Sequence, residues 1–281
     1  MKGVTQERIT VDRIKAKKKS GEKITMLTAY DYPLASLVDQ AGIDIILVGD
    51  SLANVVLGLE STKEVGMAEM IHHARAVSRA VKNALVVGDM PFEAYQTDTS
   101  RAAANAGRFI EEGGCQAVKL EWFDHCLEVV SCVAKAGIPV MGHVGLTPQT
   151  ADKLGGYRVQ GKDAASARKI IDHARALEEQ GCFCVVLECV PSQVAEAITK
   201  RLSIPTIGIG AGRNCDGQVL VTPDLLGFSD QHKPKFVKQY VDVRALILEG
   251  LRHFRDDVTQ GLFPDEAHSY RMDPDEVKKL Y

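Results

Sequence analysis

Five short apolar runs along the chain end on residues able to move protons or hold cations: Val48-Gly49-Asp50-Ser51, Gly88-Asp89, Lys119-Leu120-Glu121, Gly142-His143 and Leu187-Glu188. An acid after one apolar run can be no more than an N-cap for the next helix. Four such acids, with a lysine and an imidazole, point to chemistry. Carboxylates brought together repel and raise one another's pKa unless a cation sits among them. Oxygen-only donors, with no Cys and His pair nearby, suit Mg2+ better than zinc. A 2-oxo acid chelated through its carboxylate and keto oxygens could then lose the proton on the adjacent carbon to an unchelated carboxylate, the metal acting as Lewis acid. Lys119 could pair with the substrate carboxylate or the developing enolate, or equally form a salt bridge to Asp89 or Glu121. His143 could serve the reaction or hydrogen-bond a loop.

These residues need a scaffold that delivers strand ends to one place. Eight apolar, β-rich runs alternate with stretches of helical periodicity: Ile24 to Thr28, Ile43 to Val48, Ala84 to Val87, Ala117 to Leu120, Pro139 to Gly142, Phe183 to Leu187, Thr206 to Ile209 and Val219 to Val221. Alternation of this kind predicts an α/β fold with a parallel sheet. The runs are apolar on both faces, as a sheet buried between a packed interior and surrounding helices requires. Ala41-Gly42-Ile43, Gly113-Gly114-Cys115, Ala136-Gly137-Ile138 and Gln180-Gly181-Cys182 place glycine where each helix should end in a left-handed cap. Asp31 before Tyr32-Pro33 reads as a helix N-cap followed by proline in the first turn. An open doubly wound sheet usually has a glycine-rich loop after its first strand, but here Thr28-Ala29-Tyr30-Asp31 follows. Gly208-Ile209-Gly210-Ala211-Gly212 comes after the seventh run and reads either as a tight rim turn or as a backbone approach to a ligand.

Eight units in 281 residues fit a single (β/α)8 TIM barrel over 1–281, with an N-terminal helical segment at 1–22, a helix from Val241 to Phe254 and a polar tail at 265–281. The chain is 45% hydrophobic and 25% charged, a mixture that builds a sizeable core. A net charge of −3 without a long basic patch gives no footprint for nucleic acid. The run Lys15-Ala16-Lys17-Lys18-Lys19 reads as a solvated helix end. No apolar stretch approaches the ~18 residues of a membrane span. Gln6-Glu7-Arg8 also lacks a signal peptide's apolar character, so a cytoplasmic protein is expected. The seven cysteines read as buried reduced thiols, with Cys182 and Cys184 on the same side of a strand.

The motifs Val48-Gly49-Asp50-Ser51-Leu52, Gly142-His143-Val144-Gly145-Leu146-Thr147-Pro148-Gln149 and Leu154-Gly155-Gly156-Tyr157 resemble the ketopantoate hydroxymethyltransferase family. Further matches are Leu187-Glu188-Cys189-Val190-Pro191, Gly208-Ile209-Gly210-Ala211-Gly212 with Asp216-Gly217-Gln218, and Pro234-Lys235-Phe236. The likeness runs from about Thr25 to His268. It implies a barrel of the phosphoenolpyruvate/pyruvate-utilising type, assembled as a homodecamer, using Mg2+ or another divalent cation with 5,10-methylenetetrahydrofolate as cosubstrate. Carried onto matching positions, Asp50, Asp89 and Glu121 are expected at the metal. Asp50, Ser51, Asp89, Lys119 and His143 are expected around 3-methyl-2-oxobutanoate, and Glu188 as the base on the way to 2-dehydropantoate.

The sequence departs from the family pattern in three places. Trp122-Phe123 stands where two glycines usually follow Lys-x-Glu, Ala53 replaces a usual glycine, and Thr62-Lys63-Glu64-Val65-Gly66 replaces a usual Thr-Leu-Pro-Val-Thr. Two other readings compete with the transferase. One is a carbon–carbon lyase or mutase like those acting on isocitrate or phosphoenolpyruvate, whose Lys-Lys-Cys-Gly-His loop has no counterpart here. The other is a non-catalytic ligand-binding barrel, which the bulk beside Glu121 would favour and the four acids oppose.

Overall fold

The computed structural model describes residues 8–96, 99–228 and 234–281. Eight parallel strands close into a barrel in chain order: β1 (Ile24–Thr28), β2 (Ile45–Val48), β3 (Leu85–Asp89), β4 (Ala117–Glu121), β5 (Val140–Gly145), β6 (Cys184–Glu188), β7 (Thr206–Ile209) and β8 (Gly217–Leu220). Pairing of β8 with β1 completes the ring. All eight predicted runs become strands, but β3, β4, β5 and β6 continue past their apolar stretches to include the ionisable residues at their ends. β5 runs on through His143 to Gly145.

Alternation along each strand divides the core into two layers. Met26, Ile45, Leu47, Val87, Met141 and Val186 point into the barrel. Ile46, Val86, Val118, Val144 and Leu187 face the helices outside. Where those helices press close, the outward position is glycine: a Cβ on Gly88 would lie 2.2 Å from the Phe109 ring. Gly42, Gly114, Gly137 and Gly181 all have positive φ, the left-handed turns that end the helices ahead of β2, β4, β5 and β6. Asp31 caps the helix Tyr32–Gln40 by accepting from the Leu34 amide.

Two readings of the sequence are corrected. The helix Val11–Ser20 does end in Lys17, Lys18 and Lys19, but this end is not simply solvated. Its Ile14 is fully buried in the barrel-interior layer. Lys17 pairs with Asp44 at 2.5 Å and Lys18 with Asp216 at 2.8 Å, both largely buried. The basic run thereby fastens the helix across the N-terminal end of the barrel. Gln6 and Glu7 lie outside the described residues. Cys182 and Cys184 also fall on different sides: Cys184 enters the barrel interior, while Cys182 packs in the layer between strands and helices. The regular pleat of β6 begins only at Cys184, so the two-residue alternation does not reach back to Cys182.

The barrel unit comprises the described residues up to 222 together with 234–237. A second compact unit comprises 223–228 and 238–281. Its main helix, Val243–Thr259, has no buried residue. Ile247, Leu251, Phe254 and Val258 repeat along one face of it and are exposed. No helix among the described residues is long and apolar enough to cross a membrane.

Candidate active site

Strand parity and register assemble the site. Asp89, Lys119, Glu121 and His143 all lie at inward-facing positions of their strands and are almost completely buried. Parallel pairing sets Asp89 beside Lys119 and Glu121 beside His143. Glu188 ends β6 opposite Gly145, and Asp50 follows β2. All sit at the C-terminal end of the barrel, where barrel enzymes carry their reacting groups.

One side of the mouth holds Asp50, Asp89 and Lys119. The Lys119 ammonium donates to both Asp89 oxygens, at 2.8 and 2.9 Å. The Asp50 amide donates to Asp89 Oδ2 at 3.2 Å. Burial raises the Asp89 carboxyl to about 6, against the opposing pull of Lys119. Asp50 is raised too, first by burial, with Lys119 opposing and Glu121 adding repulsion.

The other side holds Glu121, His143 and Glu188. His143 Nδ1 lies 3.4 Å from Glu121 Oε1, and its Nε2 lies 3.2 Å from Glu188 Oε2. Both contacts fall within ion-pairing distance but off the line of a hydrogen bond, leaving Glu121 Oε1 and both ring nitrogens unpaired by that stricter measure. Burial and Lys119 each pull the imidazole pKa down; the two carboxylates outweigh them and push it up to about 9. The Glu188 side chain is 16% exposed, against 1% for that of Glu121. Gly145, at φ +99°, belongs to this arrangement: a Cβ there would sit 2.3 Å from the Glu188 carbonyl oxygen.

Ser51 stands next to Asp50, its hydroxyl 2.8 Å from that of Tyr30. Two further residues bind the cluster together, and no reading of the sequence singled out their roles. Gln149 is fully buried. Its amide nitrogen donates to Asp50 Oδ2 at 2.9 Å, and its backbone N–H donates to Glu121 Oε2 at 3.0 Å. Tyr95, also fully buried, donates to Gln149 Oε1. Gln149 closes the motif that starts at Gly142, but neither residue carries an ionisable signal at a strand end. Tyr157, on the loop after Gly155 and Gly156, lies within electrostatic reach of the site. Partial burial raises its hydroxyl, and Asp50, Glu188 and Glu121 raise it further.

The bulk beside Glu121 finds ring partners within the fold. Trp122 stacks on His173 with centroids 3.7 Å apart, and Phe123 packs edge-on to Tyr95. Lys63, in the unusual segment Thr62 to Gly66, pairs with Asp152 at 2.8 Å and lies over the Phe92 ring, linking the loops after β2, β3 and β5. Gly210 of the glycine-rich loop lies close beneath the Phe236 ring, which a Cβ would meet at 2.9 Å.

Among the described residues no three or more His, Cys, Asp and Glu side chains are arranged to cage a metal ion by themselves. The donor set still fits a hard cation. Mg2+ commonly takes one or two protein carboxylates and completes its octahedron with water and substrate oxygens. Asp50 and Asp89 are two such carboxylates, adjacent and raised in pKa, with Glu121 Oε1, which accepts no hydrogen bond, buried in the same cluster.

The ketopantoate hydroxymethyltransferase family model matches residues 8–266. A 3-methyl-2-oxobutanoate hydroxymethyltransferase of Syntrophomonas wolfei is 53% identical over 274 residues, covering 98% of this chain and 99% of that protein. One from Moorella thermoacetica is 55% identical over 266 residues, covering 95% and 99%. Among solved structures, phosphonopyruvate hydrolase in complex with oxalate and Mg2+ superposes with a TM-score of 0.61 at 13% identity, over 96% of this chain and 94% of that one. 2,3-Dimethylmalate lyase, of the PEP mutase/isocitrate lyase superfamily, gives 0.57 at 13%, over 96% and 93%. These distant neighbours share the barrel. The near full-length match to the family model, together with relatives more than half identical, establishes that this chain belongs to the ketopantoate hydroxymethyltransferase family.

Proposed function

We propose that this protein transfers a hydroxymethyl group from 5,10-methylenetetrahydrofolate to 3-methyl-2-oxobutanoate, giving 2-dehydropantoate, a step of pantothenate biosynthesis. The observation that carries this reading is the division of the mouth in a chain of this family. Asp50, Asp89 and Lys119 meet on one side, and Glu121, His143 and Glu188 on the other.

Asp50, Asp89 and Glu121 supply carboxylate oxygens to a divalent cation, for which Mg2+ is the best match to the donors. When bound, it supplies Lewis acidity to the carboxylate and keto oxygens of the 2-oxo acid. Ser51, Lys119 and His143 line the substrate. Lys119, held by Asp89, brings a fixed positive charge to where negative charge develops, and little reorganisation is needed during reaction. Glu188 takes the C3 proton. It is more accessible than Glu121 and, unlike Asp89, is not held by the lysine. The resulting enolate carbon attacks the methylene carbon carried by the folate, water supplies the hydroxyl oxygen, and tetrahydrofolate leaves. Tyr157 offers a flat, accessible ring at the mouth for the pterin.

The protein acts as one 1–281 enzyme with 265–281 as a polar tail, in the cytoplasm, and assembles as a homodecamer. The exposed apolar stripe of Ile247, Leu251, Phe254 and Val258 supports assembly, because such a stripe costs free energy when left in water. The test is proton NMR of 3-methyl-2-oxobutanoate with the protein, Mg2+ and methylenetetrahydrofolate. Signals of 2-dehydropantoate that depend on enzyme and folate are expected. Cleavage of a 2-oxo acid without folate would favour the lyase reading, and no turnover with substrate bound would favour a binding barrel.

A further inference from the structure

Gln149 occupies the second position of the 3-10 segment Pro148–Leu154, directly after the loop that leaves β5. It joins the two sides of the mouth by hydrogen bonds, beside the longer Lys119–Glu121 ion pair at 3.8 Å. Its side-chain nitrogen donates to Asp50 Oδ2 at 2.9 Å and to the Met90 carbonyl at 3.0 Å. Its backbone N–H donates to Glu121 Oε2 at 3.0 Å. Its side-chain oxygen accepts from the Tyr95 hydroxyl.

The partners fix which way round the amide lies. A carboxylate and a carbonyl can only accept, so both must face the NH2 group. The amide oxygen then needs a donor. Tyr95 can be that donor because its own oxygen already accepts the Glu121 N–H at 3.3 Å, which leaves the hydroxyl proton for Gln149. A closed circuit results: Glu121 backbone to Tyr95, Tyr95 to the Gln149 amide, the amide to Asp50, and the Gln149 backbone to the Glu121 carboxylate. Glu188 and its contact with His143 lie outside this circuit.

The choice of side chain has a physical consequence. A neutral amide fixes the plane of a carboxylate without neutralising it, whereas a lysine at the same place would compete with a bound cation. An apolar side chain would leave Asp50 Oδ2 buried without this donor, at the cost of an unpaired buried acceptor. We propose that Gln149 is a positioning residue that holds the Asp50 carboxylate in the orientation the divalent cation requires, and that Tyr95 in turn holds the Gln149 amide. The inference rests on the metal reading proposed above.

Mn2+ alone serves as the probe, its free aquo signal followed by electron paramagnetic resonance, with thermal unfolding measured in parallel. The wild-type protein should bind Mn2+. Gln149→Met, which keeps the length but loses the amide, should weaken binding by about 10- to 100-fold, the usual cost of losing an outer-shell partner. Tyr95→Phe should weaken it several-fold without touching any carboxylate. The double variant should be little worse than Gln149→Met alone, because Tyr95 reaches Asp50 through that amide and its other bond is to the Glu121 backbone N–H rather than to a carboxylate; two merely structural defects would add. Mn2+ affinity within about twofold of wild type in folded Gln149→Met would overturn the inference while leaving the metal reading intact. Should Gln149→Met not fold, Tyr95→Phe decides, and unchanged affinity there would overturn it equally. Failure of the wild-type protein to bind Mn2+ would overturn the metal reading and this inference with it.

Discussion

His143 Nε2 stands 3.2 Å from Glu188 Oε2, joining the most enclosed imidazole of the barrel mouth to the carboxylate placed to receive a proton. Because Glu121 flanks the other ring nitrogen at 3.4 Å, the ring lies between two negative charges in a buried setting. That arrangement raises the imidazole pKa against burial and Lys119, and sets the ring beside Glu188 at the mouth.

The charge state is testable by pH. The imidazole pKa in the folded protein is pushed up to about 9, above the ordinary 6.5. A raised folded pKa gives stability that is fully present below about 6.5 and is lost as pH rises through about 9. Metal-free wild type should therefore exceed His143→Gln in unfolding free energy most at pH 6, by at most roughly 3 kcal/mol, with the difference shrinking toward pH 9.5. A difference that does not change with pH, from parallel denaturant titrations, would show that the imidazole is neutral.

Asp50→Ala and Asp89→Ala should each weaken the binding of Mg2+ in calorimetric titration by about 10-fold or more, since each removes one of two adjacent oxygen donors. Unchanged affinity in both variants would remove the proposed metal centre.

Lys119 and a divalent cation both serve as counter-charges to Asp89. Lys119→Met leaves the buried Asp89 carboxyl without its ammonium and should destabilise the metal-free protein by roughly 3 kcal/mol. Mg2+ should then raise the unfolding temperature of Lys119→Met by more than it raises that of wild type. An equal or smaller rise would mean that the cation does not reach Asp89.

Much of this site was legible in the sequence because a parallel barrel repeats one local rule. A reactive residue closing an apolar strand points to the mouth, and that rule marks Asp50, Asp89, Lys119, Glu121, His143 and Glu188 in the sequence. The strand ends themselves read short. The apolar run Pro139 to Gly142 stops short of His143, yet β5 carries the ladder through His143 to Gly145, with outward Gly142 allowing Leu177 to approach. Partners distant in the chain left no local mark. Nothing near Gln149 announces Tyr95, 54 residues away, and nothing near Lys17 announces Asp44. Trp122 looked like an obstruction beside Glu121 because only the fold supplies His173 for it to stack on.

Gly145 tests the link between backbone and base. Gly145→Ala must place a Cβ 2.3 Å from the Glu188 carbonyl oxygen at a φ of +99°. It should cost at least roughly 2 kcal/mol of stability and lower kcat more than it changes substrate affinity, because the displaced backbone is that of Glu188. Wild-type kcat in a folded Gly145→Ala protein would mean that the β6 end tolerates displacement.

Glu188→Gln offers the most direct test of the central claim. Loss of the C3 proton of 3-methyl-2-oxobutanoate in heavy water is followed by NMR, with Mg2+ and without folate, so that only proton abstraction is read. Wild type should exchange this proton, and Glu188→Gln should lose the exchange by about 100-fold or more while still binding Mg2+. Exchange at the wild-type rate in Glu188→Gln would contradict the assignment and place the base elsewhere on the rim.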